Sequence, residues 1–71
     1  MLDNQIRSKI HPRQIVRITV KKDGVYSDEL VEGRVKEILT NSSEHYRGIK
    51  VMLEDGTVGR VKEIVKIRKE N

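Results

Sequence analysis

The sequence predicts an all-β fold made of short strands. Hydrophobic residues alternate with charged residues along several segments, which is the period of a strand that buries one face. The 71-residue chain contains no Trp, no Phe and two Tyr, so its core must come from Val, Ile and Leu, residues that favour strands. Asp-Gly pairs, which are typical of hairpin turns, occur at residues 23–24 and 55–56.

The beginning of the chain differs from the rest. Apolar residues at helical spacing in residues 1–12 predict a flexible or partly helical segment, which ends at Pro12 because proline disfavours helical geometry in the preceding residue. A single domain is predicted over residues 13–68, since the length allows one domain. Its first strand is expected from Ile15 to Lys22, where apolar and polar residues alternate.

Two polar segments are predicted to interrupt the strands. Residues 25–30, VYSDEL, are acidic and lack alternation, so we expect a loop of the kind that joins the first two strands of an SH3-like barrel. Residues 41–48, NSSEHYRG, predict a second loop. Between them the apolar phase slips near Lys36-Glu37, which predicts a β-bulge that bends the strand.

Residues 49–61 predict a β-hairpin whose register can be argued. A two-residue turn would place Arg60 opposite Val51 on the apolar face, and burying an unpaired guanidinium is costly. A three-residue loop with Gly56 in the left-handed conformation pairs Val51 with Gly59 instead. We favour this second register.

The hexapeptide GRVKEI occurs twice, at residues 33–38 and 59–64. In both copies Gly and Val are predicted to face inward and Arg and Lys outward, and the apolar phase slips at the Glu. A 3₁₀-like turn is therefore expected at Glu63, followed by a last strand over residues 65–67. Short strands with inward glycines predict an SH3-like β-barrel of about five strands. An OB-like barrel is the alternative, although it normally needs a longer chain.

Part of the sequence also resembles a known family. The most specific segments are ILTNS at residues 38–42, His45, GIKV at residues 48–51 and the hairpin over residues 55–61. On these segments the chain is similar to the YwbE-like family of small uncharacterised bacterial and archaeal proteins, over roughly residues 10–64. The resemblance implies a compact β-barrel and supplies no established activity.

The chain departs from the usual pattern of that family at three positions. Arg13 stands where the resemblance implies Gly, Tyr46 where Pro is common, and Met52 where Arg is expected. The first two differences change loop geometry. The third removes an outward positive charge.

The charge distribution predicts a nucleic-acid-binding surface. The chain has 15 Lys and Arg against 11 Asp and Glu, a net charge of +4, and its pI of about 9.6 is that of a basic domain. The scarcity of aromatic residues favours backbone contact with structured RNA or a ribonucleoprotein over base stacking. The candidate binding residues are Arg17, Lys21, Arg34, Lys36, Lys50, Arg60 and Lys62, flanked by loop contacts from Asn41, Ser42, His45 and Tyr46.

A protein–protein interaction module is the alternative function, using an acidic loop over residues 23–32 and the polar loop over residues 41–48. Peptide grooves are usually lined by aromatic residues, which are scarce here.

We expect no enzyme, because a Ser, Glu and His in one loop seldom reach catalytic geometry. No metal or other cofactor is expected, since His11 and His45 lack a second ligand at a recognised spacing. The absence of Cys, of a signal peptide and of a long apolar run favours a cytoplasmic location.

Overall fold

The computed structural model describes residues 2–65, except for the side chains of residues 26–28. The strands are β1 (Ile15–Lys22), β2 (Val25–Ile38), β3 (Lys50–Leu53) and β4 (Val58–Ile64). Within the described residues these four antiparallel strands close into a barrel in the order β1-β2-β3-β4. The predicted all-β class and small closed barrel are confirmed.

Four strands, rather than about five, close the barrel in the described part of the chain, because the long strand β2 pairs with two different strands along its length. Its first part, to Arg34, pairs with β1, and its last part, from Val35, pairs with β3. Val65 is the last residue that the structure describes. The rest of the last strand predicted over residues 65–67, and the end of the predicted domain at residues 66–68, therefore lie outside the described residues.

The predicted acidic loop over residues 25–30 is wrong, because this segment belongs to β2. The chain reverses at Asp23-Gly24, where φ is 52° and 80°. Positive φ at both central residues is the geometry of the two-residue hairpin turn whose backbone twist matches that of the flanking strands. Val25 therefore pairs with Lys22 directly after the turn.

The missing alternation in the acidic segment has a structural cause. From the pair Thr19↔Leu30 to the pair Lys21↔Tyr26, β1 advances two residues while β2 advances four. This irregularity breaks the two-residue period without ending the strand. The acidic loop over residues 23–32 that a protein–protein module would use is therefore a turn followed by a strand.

The barrel core is entirely aliphatic among the described residues. Its members are at most 1% exposed and come from all four strands, the β2–β3 loop and the N-terminal segment. Burying each such side chain stabilises the fold by about 1.5–3 kcal/mol. The core residues are Ile10, Val16, Ile18, Val35, Ile49, Val51, Leu53 and Val61.

Both copies of GRVKEI form a strand with a bulge at the lysine. Lys36 is an additional residue between the pairs Val35↔Leu53 and Glu37↔Met52, so the bulge predicted near Lys36-Glu37 is confirmed. Lys62 is the corresponding additional residue in β4, opposite the step from Arg17 to Ile18.

The second bulge corrects one expectation. The 3₁₀-like turn predicted at Glu63 is wrong, because β4 continues to Ile64. A bulge produces the same slip of the apolar phase without leaving the sheet.

The β3–β4 hairpin has the predicted register. Val51 pairs with Gly59, and Gly56 has φ of 91°. The turn is closed by Asp55, whose Oδ1 accepts a hydrogen bond from the backbone N–H of Thr57 at 2.9 Å. This hydrogen bond to the charged carboxylate lowers the pKa of Asp55.

The N-terminal segment packs against the barrel through two 3₁₀ turns, Asp3–Gln5 and Arg7–Lys9. The Asn4 side-chain amide donates to the carbonyl of Val61 at 3.0 Å, and Ile10 is 1% exposed within the core. Residues 2–10 thus form one wall of the folded unit.

Candidate functional site

The loop between β2 and β3 is attached to the N-terminal segment by backbone hydrogen bonds. The N–H of His45 donates to the carbonyl of Gln5, and the N–H of Ile49 donates to the carbonyl of Asn4, both at 2.9 Å. The Gln5 side chain donates in turn to the carbonyl of Tyr46 at 2.7 Å. These bonds hold the loop and the first 3₁₀ turn together beside β4.

A cleft of about 310 Å³ lies where the loop, the N-terminal segment and the barrel meet. Among the described residues its lining includes three cationic side chains and no carboxylate. The lining residues are Leu2, Asn4, Gln5, Thr19, Tyr46, Arg47, Arg60 and Lys62. We call this the basic cleft.

The strand pattern of β4 directs its two cations into the basic cleft. Gly59 and Val61 face the core, so Arg60 faces outward. One guanidinium nitrogen of Arg60 donates to the carbonyl of Gly48 at 3.0 Å, which orients the side chain toward the loop. Lys62, the bulge residue of β4, also lines the cleft.

Lys50 of β3 is paired directly with Arg60 of β4. Like charges at directly opposed positions of a sheet repel one another and are destabilising. An anion between or beside the two side chains would relieve that repulsion. Lys50 therefore places a further positively charged side chain beside Arg60, outside the lining of the basic cleft.

Arg17 is placed differently from the other predicted cations. Its Nε lies 3.0 Å from Glu32 Oε1 on β2, and its Nη1 lies 2.9 Å from Glu63 Oε1 on β4. The hydrogen bond to Glu32 and the charges of both carboxylates raise the pKa of Arg17. The two ion pairs compensate the charge of Arg17. Its side chain therefore links β1 to β2 and β4 and adds little to the positive charge of the surface.

The remaining predicted cations lie outside the basic cleft. Arg34 pairs with Ile15 on β1, and Lys36 is the bulge residue of β2 opposite β3. Lys21 is near the end of β1, where it pairs with Tyr26. The structure thus brings together Lys50, Arg60 and Lys62, and it separates them from Arg34 and Lys36 along the sheet register.

The predicted loop contacts also divide into two groups. Tyr46 lines the basic cleft and is 67% exposed, and His45 stacks on it with ring centroids 5.3 Å apart. Asn41 and Ser42 are exposed in the same loop but do not line the cleft.

Sequence reasoning missed Arg47 and the contribution of the N-terminal segment. Arg47 follows Tyr46 in a polar loop, and its guanidinium carbon lies 5.4 Å from the centroid of the Tyr46 ring. The adjacent His-Tyr-Arg sequence was the available signal, since arginine and aromatic side chains stack on one another. The hydrogen bonds of Asn4 and Gln5 to the loop had no local signal.

A larger cleft of about 620 Å³ lies between the N-terminal segment and the ends of β1 and β4. Its lining mixes cations such as Lys9 and Arg13 with the carboxylates of Asp3 and Glu63. The mixed charge makes it a weaker candidate for an anionic ligand. Val65, the last described residue, also lines this cleft.

Two classes of feature are absent from the described part of the chain. No group of three or more His, Cys, Asp or Glu side chains is arranged so that it could hold a metal ion. No helix there has the length and hydrophobicity to span a membrane.

Comparison with known proteins identifies the family. The model of a family described as "Uncharacterized conserved protein (DUF2196)" matches residues 3–64. The chain belongs to this family. It is also 44% identical over 64 residues to "Uncharacterized protein YwbE" of Bacillus subtilis (strain 168), a match covering 90% of this chain and 97% of that relative. The predicted YwbE-like family is confirmed.

The match includes every residue of the basic cleft from Asn4 to Lys62, and only Leu2 precedes it. Neither description states an activity, so membership assigns no function to the cleft. No solved structure matches the chain significantly. The function of this small β-barrel protein must therefore be argued from the geometry of the cleft.

Proposed function

We propose that this protein is a non-enzymatic, cytoplasmic RNA-binding protein that holds the phosphate backbone of structured RNA in the basic cleft. The observation that supports this function is the convergence of Arg47, Arg60 and Lys62 on one cleft whose described lining has no carboxylate. Lysine and arginine side chains bind phosphates and release the counterions that surround a nucleic acid.

The arrangement favours contact with the backbone over recognition of base sequence. Arg60 and Lys62 project from a strand of a closed barrel, and Lys50 extends the cationic surface on the neighbouring strand. Such a row can follow successive phosphates. Phosphate contacts position the nucleic acid and carry little sequence information, so we expect weak sequence preference.

The test is a titration of an RNA hairpin with the protein at two salt concentrations. Three phosphate contacts predict that the dissociation constant weakens by about 40-fold between about 50 mM and about 200 mM salt. Affinity that is independent of salt, or the absence of binding at the lower concentration, would contradict the proposal.

A matched pair of double variants locates the contact. Arg47→Gln with Lys62→Gln removes two charges from the cleft, and only about a 4-fold salt effect should remain if one phosphate contact is left. Arg34→Gln with Lys36→Gln removes the same charge from β2, outside the cleft, and should leave the salt dependence close to that of the wild type. Equal effects of both pairs would show that net charge, and not the cleft, controls binding.

A protein partner is the other possible outcome. It would be indicated by a pull-down that survives nuclease treatment and depends on the polar loop over residues 41–48. Recovery that is abolished by nuclease would instead support the RNA proposal.

A further inference from the structure

Three planar side chains are adjacent in the β2–β3 loop, and two of them, Tyr46 and Arg47, line the basic cleft. The rings of His45 and Tyr46 are stacked at an interplanar angle of 10°, and the Arg47 guanidinium lies over the Tyr46 ring. Tyr46 as a whole residue is nonetheless 67% exposed and therefore accessible to a ligand. We call these three side chains the planar stack.

Hydrogen bonds fix the backbone on both sides of the Tyr46 ring. Gln5 binds the backbone at His45 through its carbonyl and at Tyr46 through its side chain. The N–H of Arg47 donates to His45 Nδ1 at 3.2 Å, and the N–H of Gly48 donates to the carbonyl of His45 at 3.0 Å. These bonds hold the His45 ring and the backbone that carries Tyr46 and Arg47 before any ligand arrives, which lowers the entropic cost of binding.

The position of the planar stack determines what it could contact. Tyr46 lines the same cleft as Arg60 and Lys62, so a nucleotide whose phosphate lies on the cations would bring its base close to the ring. Within a helix the faces of paired bases are covered by their neighbours, so stacking on an aromatic side chain favours an unpaired base.

On the basis of the proposed RNA-binding function, we infer that Tyr46 stacks on an unpaired nucleobase next to the phosphates held in the basic cleft. The preferred ligand is then RNA with a single-stranded nucleotide beside a stem, rather than a fully paired helix. Arginine planes also stack on bases, so Arg47 can join the planar stack while its charge faces the adjacent phosphate.

The test compares two RNAs that share one stem, a blunt duplex and the same duplex with a single-stranded 3′ extension. Wild-type protein should bind the extended RNA about 5- to 150-fold more tightly, the fold-change that corresponds to one base–aromatic stack. Tyr46→Leu should abolish this preference, so that the variant binds the two RNAs with equal affinity. Tyr46→Phe, which keeps the ring, should retain the preference.

Intrinsic fluorescence provides a direct readout of the stack. The chain has two Tyr and no Trp, so Tyr26→Phe leaves Tyr46 as the remaining tyrosine. Its emission should be quenched on binding the extended RNA and should change little with the blunt duplex. Equal quenching by both RNAs would contradict a stack on an unpaired base.

The outcomes separate the two proposals. If Tyr46→Leu binds both RNAs like the wild type while Arg47→Gln with Lys62→Gln weakens both, the stacking inference is overturned and the RNA-binding function stands. If the wild type binds neither RNA, both proposals fail.

Discussion

Arg13 adopts a backbone conformation that most side chains avoid. Its φ is 74°, in the left-handed region where a Cβ approaches the following carbonyl oxygen and costs about 1–2 kcal/mol. Its N–H donates to the carbonyl of Val35 at 2.7 Å, so pairing with β2 keeps the residue in this conformation. The resemblance to the YwbE-like family already implied Gly at this position, and the dihedral angle provides the physical reason.

Replacing Arg13 by Gly should therefore stabilise the protein by about 1 kcal/mol, because Gly adopts positive φ without steric cost. The free energy of unfolding in urea measures the effect. Arg13→Ala is the control, since it removes the same charge and chain but keeps a Cβ. If the Ala and Gly variants are equally stable, the stabilisation does not come from the backbone.

At the scale of the element, the two GRVKEI strands share a sequence but not an environment. A Cβ on Gly59 would lie 2.2 Å from the backbone oxygen of Thr19, whereas a Cβ on Gly33 would lie 2.6 Å from the end of the Leu53 side chain. A side chain can change rotamer, but the backbone of a paired strand cannot withdraw without disturbing the barrel. Of the two glycines in the repeat, Gly59 is therefore the one on which the close approach of β1 and β4 depends.

We expect Gly59→Ala to be far more destabilising than Gly33→Ala. The first change should cost about 3 kcal/mol or more and the second about 1 kcal/mol, the upper and lower parts of the range for overpacking. Urea midpoints of the two variants, measured beside the wild type, provide the comparison. Equal costs would show that β1 and β4 do not approach each other at Gly59 as closely as described.

Elements with a clear local pattern were predictable from sequence. The bulge at Lys36 was visible as a slip of the apolar phase, and the hairpin register followed from the cost of burying Arg60. The segment over residues 25–30 was misassigned because its irregular pairing with β1 removes the alternation on which strand prediction depends. Its Asp23-Gly24 turn was read correctly, but the strand was not extended from it.

At the scale of the whole molecule, the N-terminal segment completes the barrel core. Ile10 is 1% exposed, while Leu2 in the same segment is 69% exposed. The domain was predicted to begin at residue 13, and that boundary stays a prediction. Packing of Ile10 in the core indicates that residues before position 13 also contribute to the free energy of unfolding.

Two alanine substitutions, one at a buried and one at an exposed position of this segment, test this contribution. Ile10→Ala should destabilise the protein by about 2–5 kcal/mol because it leaves a cavity in the core, whereas Leu2→Ala should change stability by less than about 0.5 kcal/mol. Thermal or urea unfolding followed by circular dichroism measures both. A neutral Ile10→Ala variant would mean that the segment is not part of the cooperative unit.

The candidate site was predictable only in part, because it depends on tertiary packing. Outward positions on β3 and β4 could be assigned from alternation, which placed Lys50, Arg60 and Lys62 on the outer surface, and their role in binding stays a prediction. The ion pairs of Arg17 require the relative register of three strands, which no local pattern specifies. Arg47 was missed because the loop acquires its position from hydrogen bonds to residues that lie 36 to 45 positions earlier in the chain.

Closure of the sheet restricts how a partner can be held. Within residues 2–65 β3 is hydrogen-bonded to β2 on one side and to β4 on the other, so a peptide strand could not be added beside it. A ligand on this part of the outer surface must therefore be recognised by side chains and by the loop. Changes to those side chains can alter what is bound while the hydrogen-bonded frame beneath them is conserved.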